Sequence, residues 1–417
     1  MADPCWHAMC PDFYTQFHCI GPACSDNCCH GWPIEIDKAH YLRYQAETNP
    51  AFTPLREQNI HRKKKDASRQ RYARLRLDSE GRCGFQDPDG GCKLIRTLGE
   101  DALCTVCALY PRRKAEFSPG KPELSLSMSC EQAVRIGVLQ PSQVTFQQQA
   151  FPLRAEDPML SMEPVGIGGK GRTAAPPSWG RSLRMVCIRL MQSREWTIPQ
   201  RIAAVLLLLR RLDKLRSEGQ EDQIPEETIR FLQALEQSGM SWFFQGLDYH
   251  REAHAGALQI PMGHLLSGRQ EQASRDFLEM LAPWCRGDGS GGLLAGREAA
   301  EFLLDRIGQV SDPLLAQHPA WTENFFVNYL FSSMFPFLYL AEGRTLEDHG
   351  LLLIQQYGLL RCLLAASQEE ASHEQRFLRA FVHTARLSQH GDFAADTEGL
   401  LRSLHTGGTA HMLYLLR

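Results

Sequence analysis

Eleven of the fourteen cysteines in this chain of 417 residues lie at or before Cys130, in less than a third of its length. Most fall into two knots: Cys19, Cys24, Cys28 and Cys29, then Cys83, Cys92, Cys104, Cys107 and Cys130. A free cysteine packs as a small hydrophobe and scatters through a core. Crowding of this kind needs another cause, either disulfides or metal. A segment held in one of those ways can be irregular, because it does not depend on a large apolar core of its own.

The rest of the chain favours metal. With 43% hydrophobic and 22% charged residues it has the composition of a soluble globular protein. Its net charge of −3 gives no sequence-wide attraction to nucleic acid or anionic lipid. The opening Met1-Ala2-Asp3-Pro4-Cys5 has neither the basic start nor the apolar core of a secretory signal. The apolar runs Ile202 to Leu209 and Leu351 to Ile354 fall far short of the roughly 20 residues a membrane helix needs. The expectation is a cytoplasmic protein with no nucleic-acid or membrane partner, and in that reducing compartment cysteine clusters more often hold metal than pair.

Two unlike halves are expected, giving a mainly α chain. Residues 1–150 read as an irregular Cys-rich, metal-binding N-terminal domain, interrupted by Gly21-Pro22, Gly31-Trp32-Pro33 and Asp87-Pro88-Asp89-Gly90-Gly91. Asp37 is placed to cap a helix through Tyr41 and Tyr44. The Asp-Gly turn at 89–90 predicts a reversal that brings Cys83 and Cys92 together. A basic stretch from Arg62-Lys63-Lys64-Lys65 to Arg76 reads either as a solvated face or as a docking surface for an acidic partner. Residues 151–180 form a Gly/Pro-rich linker or loop; the glycines at 166–171 fit neither nucleotide-binding spacing. Residues 181–417 read as a helical C-terminal domain. Apolar residues recur at three- and four-residue spacing over 181–193, 199–216, 226–237, 271–281, 297–307, 324–339, 351–366 and 374–387. Strand signals are scarce, and no alternating strand–helix rhythm is visible.

A structural zinc wants four ligands, usually as two close pairs, and Cys24-x3-Cys28 with Cys104-x2-Cys107 would supply them. At least five thiols would then be left over. An iron–sulfur cluster also takes four thiolates, but spreads them wider because each iron is held separately. The adjacent Cys28 and Cys29 are expected to diverge, as neighbours do in helix or strand, so that one ligates while the other packs, or there are two sites. The C-x3-C-x2-C pattern of radical enzymes is missed, because the third position is Gly31. His18 and His30, each beside a cysteine, read as ligands, as donors to sulfur, or as surface residues.

Several stretches resemble the flagellin lysine N-methylase family. They are Phe17-His18-Cys19-Ile20-Gly21-Pro22-Ala23-Cys24 through Cys28-Cys29-His30-Gly31-Trp32-Pro33 to Asp37; Gly91-Cys92 with Leu103-Cys104-x2-Cys107 and Tyr110-Pro111-Arg112; Ser129-Cys130-Glu131; and Glu323-Asn324-Phe325-Phe326-Val327-Asn328-Tyr329. The chain departs at Cys83-Gly84-Phe85, where related proteins often carry proline after the cysteine. The resemblance implies transfer of methyl from S-adenosylmethionine to lysines of flagellin, with a [4Fe-4S] cluster bound in the cysteine-rich half. The alternative is a non-catalytic iron–sulfur or zinc-binding interaction module. A zinc hydrolase is disfavoured, since no His-Glu-x-x-His set is present.

Lysine methylation is a polar displacement in which a neutral amine attacks a sulfonium methyl. Because lysine's unperturbed pKa is about 10.4, the site must favour the neutral form, by burial or with a nearby Tyr, Asp or Glu. Tyr110, Asp37 and Tyr329 are the candidate catalytic residues. Arg112 and Arg113, just past Cys107, would bind the donor's carboxylate or form surface salt bridges. Glu323, Asn324 and Asn328 either line a donor pocket or form a satisfied buried network. The cluster would staple the irregular domain, hold the donor at one iron, or carry electrons.

Overall fold

The computed structural model describes residues 5–31, 34–116, 120–152, 177–239, 250–267, 272–287, 293–334, 345–389 and 412–417. The chain is mainly α, but its first third is more regular than the sequence suggests. Strand β1 (Cys5–Pro11) sits inside a four-stranded sheet of order β5-β6-β1-β7, with β5 at Arg112–Glu116, β6 at Pro122–Leu126 and β7 at Phe146–Pro152. β1 runs parallel to β6 and antiparallel to β7, with Cys5 opposite Pro152 and Pro11 opposite Phe146. A second sheet of three short strands, order β2-β4-β3, uses Glu35–Ile36, Ala73–Leu75 and Ile60–Arg62.

Around the small sheet lie helices α1 (Lys38–Ala46), α2 (Phe52–Asn59), α3 (Lys93–Leu98) and α4 (Thr105–Leu109). Asp37 is the N-cap of α1, as its position predicts: its side chain accepts from the His40 backbone N–H. The Asp-Gly reversal also forms. Gly90 takes the left-handed backbone that favours glycine (φ +84), and Gln86 pairs with Cys92 across the turn. These elements enclose a small apolar core of Ile34, Ile36, Tyr44, Phe52, Phe85 and Leu94, to which Cys83 and Cys104 also belong.

A much larger core joins the four-stranded sheet to the helical half. After α5 (Glu131–Gly137) come α6 (Gly180–Met191), α7 (Ile198–Ser217), α8 (Ile224–Ser238), α9 (Arg251–Ser267), α10 (Gln272–Leu281), α11 (Arg297–Arg306), α12 (Asp312–Gln317), α13 (Pro319–Tyr329), α14 (Leu346–Ala365) and α15 (His373–Gln389). A short hairpin, Cys285–Gly287 with Leu293–Ala295, interrupts them. The two longest helices start alike. Thr197 and Gln200 form a capping box for α7, and Thr345 and Asp348 one for α14. All of α14 except Glu347 is buried. It is apolar around most of its circumference, as a central helix must be, and α7, α9 and α15 pack against it.

The helix over 324–339 starts earlier than its apolar spacing implies, at Pro319, and passes into a π-turn at Leu330–Met334. Helix α9 has no counterpart among the expected helices; Pro261 lies inside it and weakens its sequence signal. Most of the Gly/Pro-rich stretch 151–180 lies outside the described residues. Charge ties sheet to helices: Arg184, fully buried on α6, holds Glu123 of β6 at 2.5 Å and donates to the Phe331 carbonyl at 3.0 Å. No described helix is long and apolar enough to cross a membrane.

Candidate functional site

The thiols of the two knots converge, and the backbone shows how. A turn at Gly21–Ala23 folds the first knot back, so that the Gly21 N–H donates to Cys19 Sγ at 3.4 Å. The Cys83 N–H donates to the Cys29 carbonyl at 2.8 Å, fastening the second knot to the first. Cys104 is the N-cap of α4, and its Sγ lies 3.9 Å from the Glu35 carbonyl. None of the thirteen cysteines whose side chains are described is in a disulfide.

Electrostatics sort these thiols into two neighbouring groups. Burial pushes Cys83 up to about 12, reinforced by the charges of Cys29, Cys92 and Cys104. Cys107 is raised by its hydrogen bond to Cys104 and by burial, and it also senses Cys28 and Cys29. The second group is Cys19, Cys24 and Cys130: Cys28 senses Cys130 and Cys19, and Cys24 senses Cys130. Cys28 and Cys29 hydrogen-bond through their sulfurs: Cys28 is raised and Cys29 lowered. This overturns the expectation that the adjacent pair diverges. The two residues sit in a turn, where strand and helix alternation does not apply.

Among the described residues, no three His, Cys, Asp and Glu side chains are gathered so as to hold a single metal ion. Such an ion draws its donors onto one point, whereas a four-iron cluster keeps its thiolates apart, each on its own iron. Cys83 senses Cys29, Cys92 and Cys104, and Cys107 senses Cys104 and Cys29, so these five thiols are neighbours, and thiolates are the donors an iron–sulfur cluster takes. His18 and His30 bond elsewhere, to the Gln16 carbonyl at 3.1 Å and the Glu80 carbonyl at 2.7 Å.

Glu131 and Arg386, neither given a role in the sequence reading, fix the first knot. Glu131 is 1% exposed. Its Oε2 accepts from Ser25 N at 2.8 Å, Ser25 Oγ at 2.7 Å and Asp26 N at 3.2 Å, while Oε1 faces Arg135. From the other side Arg386 of α15 forks onto both Asp26 carboxylate oxygens at 2.8 Å and reaches the Ser129 carbonyl at 3.3 Å. The signal for Glu131 was a charge directly after Cys130; Arg386 carried none.

The candidate residues separate into two sets. Near the thiols, the Tyr110 hydroxyl meets Ser129 Oγ at 3.0 Å across from Cys130, and burial followed by the charge of Cys130 keeps the phenol protonated. Arg112 stacks over the Phe17 ring at 4.9 Å. Arg113 is lowered to about 10 by burial, with Tyr329 beside it opposing the shift. Asp37 accepts from His40 Nδ1 at 2.7 Å and Thr105 Oγ1 at 2.9 Å besides capping α1.

The second set, Glu323, Asn324 and Asn328, is buried on α13. Glu323 lies between Arg194 at 3.1 Å and Arg201 at 2.7 Å. Asn324 Nδ2 donates to the Gln140 and Ser142 carbonyls at 3.0 Å, and its Oδ1 accepts from Val144 N at 3.3 Å. Asn328 donates to the Gly137 carbonyl at 3.0 Å and the Asn324 carbonyl at 2.9 Å. They form the satisfied buried network that was the other reading, because a loop over 137–144 needs its carbonyls capped inside the core.

No solved structure matches this fold. Similarity by sequence is more specific. The chain is 36% identical over 121 residues to the flagellar biosynthetic protein FliU of Salmonella muenchen, covering 29% of this chain and 70% of the relative. It is 35% identical over 121 residues to the lysine-N-methylase of Salmonella choleraesuis and 34% to that of Salmonella typhimurium, in each case over 29% of this chain and 29% of the relative's length. The match thus spans less than a third of those two enzymes. Over residues 184–416, more than half of the chain, it fits the model of the FliB lysine N-methylase C-terminal domain. With a helical half that fits this model, the chain belongs to the FliB lysine N-methylase family.

Proposed function

We propose that the chain is an S-adenosylmethionine-dependent methyltransferase that N-methylates lysine side chains of flagellin in the cytoplasm, with a [4Fe-4S] cluster held by N-terminal thiols. Membership of a lysine N-methylase family is the observation that carries this reading, and the flagellar name of the FliU relative supports flagellin as acceptor. Cys29, Cys83, Cys92, Cys104 and Cys107 are the thiols from which the cluster's ligands would come.

In the reaction the lysine nitrogen forms a bond to the methyl carbon as the carbon–sulfur bond breaks. The thioether leaves with the electron pair, and the methylated ammonium then sheds a proton. Holding amine and methyl in line is the main way a protein lowers such a barrier. Arg113, desolvated in β5 beside Tyr329, suits a donor carboxylate. Tyr110, kept as a neutral phenol, suits orientation of the amine more than removal of its proton. Asp37, with its oxygens engaged by His40 and Thr105, acts as a cap rather than a base.

The test is transfer of labelled methyl from the donor to flagellin by protein purified without oxygen. Labelling should vanish with Lys-depleted flagellin, and labelling that persists there would refute lysine as acceptor. The cluster is tested separately by iron content and by absorption at roughly 400 nm. Cys→Ala at a ligand should remove both, while the same change at a bystander should leave them.

A further inference from the structure

The hairpin of β3 and β4 concentrates charge that neither the fold nor the proposed chemistry uses. Between His61 and Arg76 the sequence places eight cations against one acid, Asp66, in a chain whose total charge is −3. Arg62, Lys64, Lys65, Arg69, Arg74 and Arg76 are all exposed. None of these six is in an ion pair among the described residues. Glu35 answers only Lys63 at 3.1 Å and Arg71 at 3.3 Å.

The charges are held in place rather than trailing in solvent. Lys63 N–H donates to the Tyr72 carbonyl at 3.1 Å, Tyr72 N–H to the Ile36 carbonyl at 2.9 Å, and Lys38 N–H to the Arg69 carbonyl at 2.8 Å. Crowding like charges on a paired hairpin works against the fold, so an anion from outside would relieve it. The class of anion follows from what the surface lacks. Tyr72 is the aromatic ring of this stretch, and it is covered by Arg62 at 5.1 Å, Lys38 at 5.7 Å and the edge of Tyr41 at 5.2 Å. These contacts already engage the ring, so it is not set out as a platform for stacking a nucleic-acid base. The exposed residues of the loop include no large apolar side chain to enter a lipid surface.

We propose that this hairpin docks an acidic segment of the polypeptide substrate, which rests on the reading of the chain as a protein-modifying enzyme. The hairpin adjoins the thiol site: Arg74 pairs with Glu35 across β4 and β2, and the Glu35 carbonyl lies 3.9 Å from Cys104 Sγ. An acidic stretch held there would bring a neighbouring lysine to the thiol side while its own ammonium is repelled by the basic face. Such contacts govern encounter and substrate affinity more than the chemical step.

The experiment is fluorescence anisotropy of a labelled Asp/Glu-rich peptide against the full chain and against the quadruple variant Lys64→Glu, Lys65→Glu, Arg69→Glu, Arg74→Glu. Affinity should fall at least about tenfold in the variant, and by a similar factor for the native chain when salt rises from about 0.05 to 0.5 M. Should the quadruple variant lose its far-UV circular dichroism, Arg74→Glu alone and the salt series carry the same test. Unchanged peptide affinity would overturn the proposal. So would tighter, variant-sensitive binding of a labelled single-stranded RNA or of phosphatidylglycerol vesicles. In the methyl-transfer assay the variant should raise KM for the protein substrate and leave kcat unaltered. A chain that binds the peptide but transfers no methyl group would refute the enzymatic reading and leave the docking surface standing.

Discussion

Asp37 shows how one side chain can serve two elements. Burial opposes its ionisation, but the ring and backbone N–H of His40 and the Thr105 hydroxyl outweigh that cost and hold the carboxyl well below the usual range. Through these bonds it starts α1 and fastens α4, which carries Cys104 at its cap and Cys107 within it. A carboxyl lowered in the folded state contributes fully above its unfolded value, near 3.9, and that contribution is lost as pH falls through the folded one. Asp37→Asn should therefore flatten the acid side of the stability curve, from roughly pH 4 downward, while costing about 1 kcal/mol at neutral pH as a weakened cap. Urea midpoints across that range would show it, and equal acid sensitivity in both proteins would exclude the role. Single residues of this sort are partly legible in sequence. The cap was, because its signal is local; the bond to Thr105 joins residues 68 positions apart and leaves no local mark.

The helices were legible because their apolar spacing recurs within one turn, and α6, α7, α8 and α15 fall within a few residues of where that spacing places them. The sheet was not. Its edge strands read Arg112-Arg113-Lys114-Ala115-Glu116 and Phe146-Gln147-Gln148-Gln149-Ala150, polar because an exposed edge must resist pairing with other chains. Its inner strands find their partners far along the sequence, Met9 opposite Glu123 and Cys5 opposite Pro152. Between elements, the contact of α14 with α7 depends on Gly350. A Cβ built there would stand 2.6 Å from Leu206 Cδ1 and 3.0 Å from its Cα. The second atom is backbone and cannot swing aside. Gly350→Ala should push the two helices apart and destabilise the protein by about 1–3 kcal/mol, read as a lower urea midpoint with the helical signal retained. An unchanged midpoint would mean the bundle absorbs a methyl group at its centre.

At the scale of the molecule, a small core rich in cysteine is attached to a large apolar one, and Arg386 of α15 is among the links between them. The thiols were legible from their crowding alone, but the residues that orient them were not, since Glu131 stands 106 positions from Ser25 and Arg386 stands 360 from Asp26. Arg386→Ala should leave far-UV circular dichroism unaltered, because the helical body keeps its own core. It should speed alkylation of Cys24 and Cys28 several-fold, since the loop between them would be held from one side only; thiols that react no faster would reduce the pair to an ordinary surface contact. The same 360-residue separation bears on how the protein is made. At about 5–20 residues per second of translation, Asp26 is joined to the chain roughly 20–70 seconds before Arg386. The first knot is thus completed only once a residue made long after it arrives, and its sulfurs must be kept reduced, or shielded, through that whole interval.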